Sequence, residues 1–445
     1  MSDFSRRDAL KIGAGAAVGT AALGAGSDAL AQQGGVPTPE KGASIRILRP
    51  AKFVQGDETL WNENSKKFEQ RYGVKVRVDY EGWEDLRPKA AVAANVGRGP
   101  DIVYCWYDDA HQYAEKLLDI GDVGNYLGRK YGGWYPISEK FGRVQTKGGG
   151  LGRWICAPIG AGGGKVVYRK SHVNKAGFET IPTNTNDFLR LCQKLKENNT
   201  PSGFALGNAV GDGNGWCHWV IWSHGGKMVD EKDNVVINSP ETIAGLEYAK
   251  RLYDTFIPGT LSWLDPSNNK AYLDGQISLT QNGISIYYAA KNSSDATIKA
   301  VGEDTEHADM PLGPVGKPTE TNLVVPGMVF KYTKFPNACK AYMAFMMEQE
   351  QYAPWATAAI GYWSQPLRAY EKLDIWTVDR KHTPYRDVMV KQLWPGFSGS
   401  LGTQSAGVLA DWVMVNMVAQ VASGGKSPKD AAAEAQKRAE RYYKI

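Results

Sequence analysis

The sequence is poor in cysteine and histidine and has no large excess of either charge. Five cysteines stand at positions 105, 156, 192, 217 and 339 with no C-x-x-C pair, which excludes a disulfide scaffold and a cysteine zinc site. Cys105 and Cys192 lie inside apolar runs and read as small buried thiols; in an oxidising compartment the spacing singles out no pair. His218 and His224 are six residues apart, unsuited to two ligands on one helical face. No metal and no cofactor is expected. Fifty-two Lys and Arg against 47 Asp and Glu, with no long basic run, lack the footprint of a nucleic-acid binder. There is no G-x-x-x-x-G-K-[ST]: Gly160 to Gly164 with Lys165 matches in glycine content alone and precedes a strand. No charge-free run approaches the ~20 strongly apolar residues of a spanning helix.

What is present is an ordinary globular composition, 42% hydrophobic and 22% charged over 445 residues. The start carries Arg6-Arg7, a Gly/Ala-rich apolar run from Ile12 to Gly26, and Ala29-Leu30-Ala31 before Gln32. This order of basic, apolar and small residues reads as a cleaved export leader, residues 1–31, of the twin-arginine type, and predicts a periplasmic protein. Removing it leaves 445 − 31 = 414 residues, enough for two or three domains at about 150 residues each.

Along the mature chain, helical and strand periods alternate. Ile45 begins a strand, Glu58 to Tyr72 a helix closed by Gly73, and Val74 to Tyr80 a second strand. A helix from Asp85 to Asn95 and a buried strand from Ile102 to Trp106 follow. The glycine-dense stretch Gly148–Gly164 marks a crossover into a second unit, with a strand Lys165–Arg169, a helix Thr185–Glu197 and a short strand Gly203–Gly207. Ser239 caps a helix opened by Pro240, and Pro428–Tyr443 forms an Ala-rich closing helix. Strands alternating with helices predict an α/β layer on a mainly parallel sheet, whose ligands bind at strand carboxyl ends.

Several segments in order resemble one family. They are Gly99-Pro100-Asp101-Ile102-Val103, Val166-Val167-Tyr168-Arg169-Lys170, Lys175-Ala176-Gly177-Phe178, Ile181-Pro182-Thr183-Asn184, Ser223-His224-Gly225-Gly226, Leu273-Asp274-Gly275-Gln276 and Pro336-Asn337-Ala338-Cys339-Lys340-Ala341. They are similar to the extracellular solute-binding proteins of bacterial ABC importers, in the carbohydrate-binding group that includes maltose-binding protein. The resemblance runs from about Ser44 to the C-terminus and departs at Asn184 to Phe188, which lacks the family's usual tryptophan. It implies an α/β, two-lobed periplasmic-binding-protein fold (type II) with a hinge and an interlobe cleft. Lobe 1 would hold 44–156 and 306–350, lobe 2 157–305 and 351–445. The implied protein is a non-enzymatic monomer that binds a sugar or polyol and delivers it to ABC permease membrane subunits.

Sugars offer hydroxyl edges and C–H faces, so their sites need flat aromatics together with carboxylates and amides; 14 Trp and 22 Tyr are a large supply. Trp106, Tyr107 and Asp108 follow a predicted strand, and the family's matching loop contacts solute; the alternative is a Trp finishing the core and an Asp capping the next helix. Gln55 and Asp57 sit where the family places a polar contact, or Asp57 is the N-cap at Glu58. Asn282 is a ligand or the first residue of an Asn-Gly turn. Trp216, Trp219 and Trp222 share a helix face suited to core packing, with Trp216 nearest a glycine-rich loop and best placed to reach a cleft. Tyr362 and Trp363 match a solute-facing loop. Two other solute chemistries compete: a phosphorylated or anionic solute such as glycerol phosphate, with Lys52, Lys165 and Arg368 as candidate partners, and a secreted glycoside hydrolase. Asp108 and Asp109 are adjacent, whereas a hydrolase pair must flank one bond about 5–9.5 Å apart. A structural or adhesion role, with no solute at all, is a further alternative.

Overall fold

The computed structural model describes residues 35–146 and 149–444; the expected leader lies outside them. Its first sheet contains β1 (Ser44–Pro50), β2 (Lys75–Glu81) and β3 (Ile102–Tyr104), all parallel in the order β2-β1-β3. The helix Gln55–Tyr72 links β1 to β2 and ends at Gly73, whose φ of 65° is the left-handed cap conformation. It buries Trp61 and Phe68, with Trp61 set edge-on to Tyr104 at 4.9 Å between ring centroids. The expected mainly parallel sheet is corrected at its other side. After the two-stranded β4 (Arg143–Gln145) and β5 (Leu151–Trp154), β6 (Ala157–Gly162) enters at the edge, and β10 (Leu323–Val329) lies antiparallel to both β3 and β6. Only β10 arrives from the second sheet; it enters from the opposite end and so runs against β3 and β6.

The second sheet has β7 (Lys165–Arg169) in the middle, flanked antiparallel by β8 (Leu279–Asn282) and β9 (Thr305–Ala308). The chain crosses between sheets through Gly162-Gly163-Gly164 and returns through residues 309–322. Side chains do not fit in the first crossing: a Cβ on Gly164 would stand 1.7 Å from Gln281 Nε2, and one on Gly163 2.4 Å from Val388 Cγ2.

Lys165 pins the two crossings together. It is 0% exposed, and its Nζ donates to Asp309 at 2.8 Å and to Glu320 at 3.0 Å, one at each end of the returning segment. Alongside it, Gly164 N donates to Asn322 Oδ1 at 2.7 Å.

Two large cores follow this division. The first gathers the helices and strands around β1, and it also takes in Tyr352, Trp355, Tyr362, Trp363, Tyr370 and Trp376. The second surrounds β7 and includes Val408 and the buried apolar side chains from Val413 to Ala439. Residues 351–445, expected together in lobe 2, are thus divided in their packing. The expected strand Gly203–Gly207 is irregular, with an isolated bridge at Ser202, because Trp263 and Ser262 close over Gly203 and Gly207. Thr403–Ala422 matches a membrane span in length and apolarity, yet 67% of it is buried. It is two helices, Thr403–Ala410 and Val413–Ala422, broken at Trp412 with φ 57°.

Removing one partner of a buried ion group leaves the other charge uncompensated, at a cost of about 3–5 kcal/mol. Lys165→Met is expected to lower unfolding stability by that amount in urea titration, and the double change Lys165→Met with Glu320→Gln to recover most of it. Equal losses in the single and double variants would show that the uncompensated Glu320 charge is not the source of the loss.

Candidate functional site

A cavity lies where the two crossings meet, between the carboxyl ends of β1 and β3 and the strand β8. Its walls come from different parts of the chain. Phe53, Trp83, Trp106 and Tyr107 form one side and belong to the first core. Asp212, Asp265, Gln281 and Asn282 form the other, with Gly162-Gly163-Gly164, Thr321 and Asn322 as the floor and Tyr362 at the side. Its free volume of about 40 Å³ holds a few waters, so the walls stand close. Tyr107 Oη donates across it to Gly211 O at 3.3 Å. A wider groove of about 920 Å³ beside Lys140 and Trp394 lies on the surface and lacks this convergence of aromatic and amide groups.

The aromatic side is rigidly built. Trp106 Nε1 donates to Trp83 O at 2.9 Å, the two indoles meet at 4.7 Å and 60°, and Phe53 stacks on Trp83 at 5.8 Å. On the polar side, Asp265 opens the helix Asp265–Leu273 and accepts from the backbone N–H of Gly211 and Asp212, the latter at 2.8 Å. That pins the first turn of the helix Asp212–Ser223. Asn268 Nδ2 donates to Asp212 Oδ2 at 2.7 Å. Asn282 is held by Asn269, which in turn donates to Ser285 at 2.9 Å. Gln281 Oε1, Thr321 Oγ1 and Asn322 Nδ2 are buried without a hydrogen-bond partner in this structure. Groups left so at a cavity wall are free for a bound molecule.

No Lys, Arg or His lines the cavity. Burial first, then the neighbouring Asp265, raises Asp212 well above the usual carboxylate range. Burial, with the charge of Glu84, pushes Asp265 up to about 6 against its backbone N–H donors.

Of the nine residues singled out from sequence, the structure brings Trp106, Tyr107, Asn282 and Tyr362 together at this cavity. The other five lie elsewhere. Asp57 is inside the first turn of its helix, which starts three residues before the expected Glu58, so it is not the N-cap. Its carboxylate is used by Arg49 at 2.9 Å and Trp355 Nε1 at 2.6 Å. Gln55 is exposed and donates to Thr59. Trp216 is fully buried against Phe204 and Phe256, its Nε1 donating to Ala205 O. Trp363 packs behind the wall against Tyr362 and Trp83. Asp108 lies beneath the wall, 1% exposed and without a hydrogen bond; Arg87 gives its Nε to Asp109 at 2.6 Å and stays 3.6 Å from Asp108. Burial, with Asp109 beside it, therefore pushes the Asp108 carboxyl up to about 7 despite Arg87.

Phe53, Trp83, Asp212, Asp265, Gln281, Thr321 and Asn322 escaped the sequence reading. Asp212 had a signal in its run Gly211-Asp212-Gly213-Asn214-Gly215; Asp265-Pro266 reads only as a helix start. Lys52 donates to Glu58, Lys165 is consumed by its two carboxylates, and Arg368 stands 5.2 Å from the Tyr135 ring. All five cysteines are buried and unpaired.

Comparison with known proteins gives one consistent picture. A family profile described as bacterial extracellular solute-binding protein matches residues 64–383. A putative ABC transporter periplasmic-binding protein of Escherichia coli, YcjN, is 24% identical over 295 residues, 61% of each chain. A probable ABC transporter-binding protein of Deinococcus radiodurans is 22% identical over 38% of this chain and 41% of its own. The chain thus spans less than two thirds of the curated relatives it matches. Among solved structures, maltose-bound MalE3 of T. maritima aligns over 90% of this chain and 100% of its own at 17% identity, with a TM-score of 0.76. The GacH receptor of Streptomyces glaucescens, solved unliganded and with acarbose, aligns over 91% and 99% at 17% identity, with a TM-score of 0.75. These similarities fix the fold as α/β with two lobes.

The buried carboxyls predict a particular pH response. A raised carboxyl contributes stability in its protonated form, fully present below the unfolded value near 3.9 and lost as pH rises through the folded value. That loss falls around pH 6 for Asp265 and 7 for Asp108. All six histidines are lowered by burial and act oppositely as pH falls toward their unfolded value near 6.5. Between about pH 8 and 7 they stay mostly neutral in both states, so the melting temperature of the unliganded protein should rise as pH is lowered over that interval. Scanning fluorimetry showing a flat or falling profile over that interval would contradict the raised carboxyls.

Proposed function

This chain belongs to the bacterial extracellular solute-binding proteins, and from that premise we propose that it captures a sugar or polyol in the cavity between its sheets. It would then deliver the solute to the membrane subunits of an ABC importer. The observation that carries the reading is the cavity itself: four aromatic side chains on one wall face carboxylates and amides on the other. That is the pairing a polyhydroxylated ring requires, with C–H faces against aromatics and hydroxyls against Asp, Asn and Gln. The residues proposed to touch solute are Trp106, Tyr107, Asn282 and Tyr362, joined by Trp83 and Asp212. Release and capture would use bending at Gly162-Gly163-Gly164 and residues 309–322, with residues up to about 401 moving with the first lobe.

The competing chemistries have less support. An anionic solute needs a clustered cation, and the lining has none. For hydrolysis the two wall carboxylates would have to flank a bond; Asp265 instead accepts from the backbone of Asp212 itself, so both stand on one wall.

Thermal-shift screening of sugars, polyols and phosphorylated solutes against the mature protein tests the reading. A stabilising sugar or polyol is expected, and stabilisation by phosphorylated solutes alone would overturn it. Tyr362→Leu keeps bulk but removes a flat face, and should weaken that solute by about 0.5–1.5 kcal/mol, about two- to twelvefold. Calorimetric titration measures it.

A further inference from the structure

The charge and shape of the cavity narrow the solute. Its lining carries Asp212 and Asp265 and no cationic side chain. Arg87 is spent on Asp109 and Asp108, and Lys165 beside the floor on Asp309 and Glu320. Both lining carboxyls are held high by burial, as expected where the protein supplies no cation to pair with them. A cation placed beside them would supply the missing counter-charge and draw both back toward the ionised form, which a neutral solute cannot do.

The opposite wall is built for a cation as well as for a ring. The indoles of Trp83 and Trp106 meet at 60° rather than lying in one plane, so the wall turns a corner. Tyr107 continues it almost parallel to Trp106 at 17°, and Tyr362 closes the side. Aromatic faces set around one point attract an ammonium group through their ring quadrupoles. An independent mark of a ligand is the set of unpartnered polar atoms at the floor. Gln281 and Asn322 are 4% and 2% exposed, and Gln281 Oε1 and Asn322 Nδ2 have no partner in the protein. One is an acceptor and the other a donor, matching hydroxyls as well as an amine.

Building on the solute-binding reading, we propose that the solute is a small polyhydroxylated molecule bearing a protonated amine, an amino sugar or aminated polyol. The amine sits between the Asp212 carboxylate and the Trp83–Trp106 corner, and the hydroxyls engage Gln281, Asn282 and Asn322.

The test is calorimetric titration of the mature protein with hexosamines, each matched to its parent hexose and its N-acetylated form. At least one free amine is expected to bind tenfold or more tightly than both of its uncharged counterparts. Asp212→Asn should narrow that gap to under threefold. If a neutral hexose, polyol or oligosaccharide binds as tightly as every amine, the amine assignment is wrong while solute binding stands. If no polyhydroxylated compound of either kind binds, the binding reading falls and this inference with it.

Discussion

The buried ammonium of Lys165 is the constraint on which the two-lobed arrangement depends. A charge at 0% exposure is tolerated only with close partners, and its partners stand at both ends of the segment that returns from the second sheet to the first. The side chain therefore fixes the relation of one crossing to the other. Burial alone would lower the lysine's proton affinity, yet Glu320 and Asp309 more than restore it, and Lys391 shares Asp309 at 2.6 Å. Because the adjacent Gly162-Gly163-Gly164 forms the cavity floor, the same pin sets the height of the floor against both walls. The crossing and the cavity are one piece of structure.

Much of the fold was legible in the sequence because its signals were local. Gly73 ends its helix in the left-handed conformation, Ser239 accepts from Thr242 N as an N-cap, and Lys165–Arg169 and Pro428–Tyr443 form the expected elements. These are matters of backbone conformation and period, settled within a few residues. Strand direction is not local. Nothing within Leu323–Val329 states that it will lie against β3 in the opposite sense; that follows from where the chain has come from. The division of residues 351–445 between two cores is hidden for the same reason, since Trp376 and Met414 are equally apolar and differ only in what they meet.

The cavity was legible by half. Trp106, Tyr107, Asn282 and Tyr362 follow strands or sit in aromatic loops, and the rule that ligands gather at strand ends finds them. Asp108, two positions beyond Trp106, fails that rule because a short helix starting at Asp109 turns its carboxyl under the wall. Asp57 fails because Arg49, fully buried inside the strand before it, claims its charge. An aspartate beside a loop is only a candidate until the location of every buried arginine is known, and sequence spacing does not supply that. Asp265 shows the converse: its Pro266 neighbour marks a helix start, and only the fold carries that start to the loop of Asp212.

The division of labour between the walls bears on how such a site works. Aromatic side chains come from the elements packed around β1 and β3, and carboxylates and amides from the helix starts at Asp212 and Asp265 and from β8, so neither side alone offers both flat faces and hydrogen-bonding edges. Association costs about 4–15 kcal/mol, while a single charge-assisted hydrogen bond contributes about 1.5–3. On the proposed reading one wall would hold solute weakly, and tight binding would need both. The direct protein bridge over the cavity, Tyr107 to Gly211 at 3.3 Å, is long for a hydroxyl donor and weak by that measure. The bridge therefore adds little to holding the walls together, and Gln281 Oε1 and Asn322 Nδ2 stay without partners. A ligand shifts an equilibrium only by its differential affinity for two states, and on the proposed solute-binding reading that difference would come from these polar atoms.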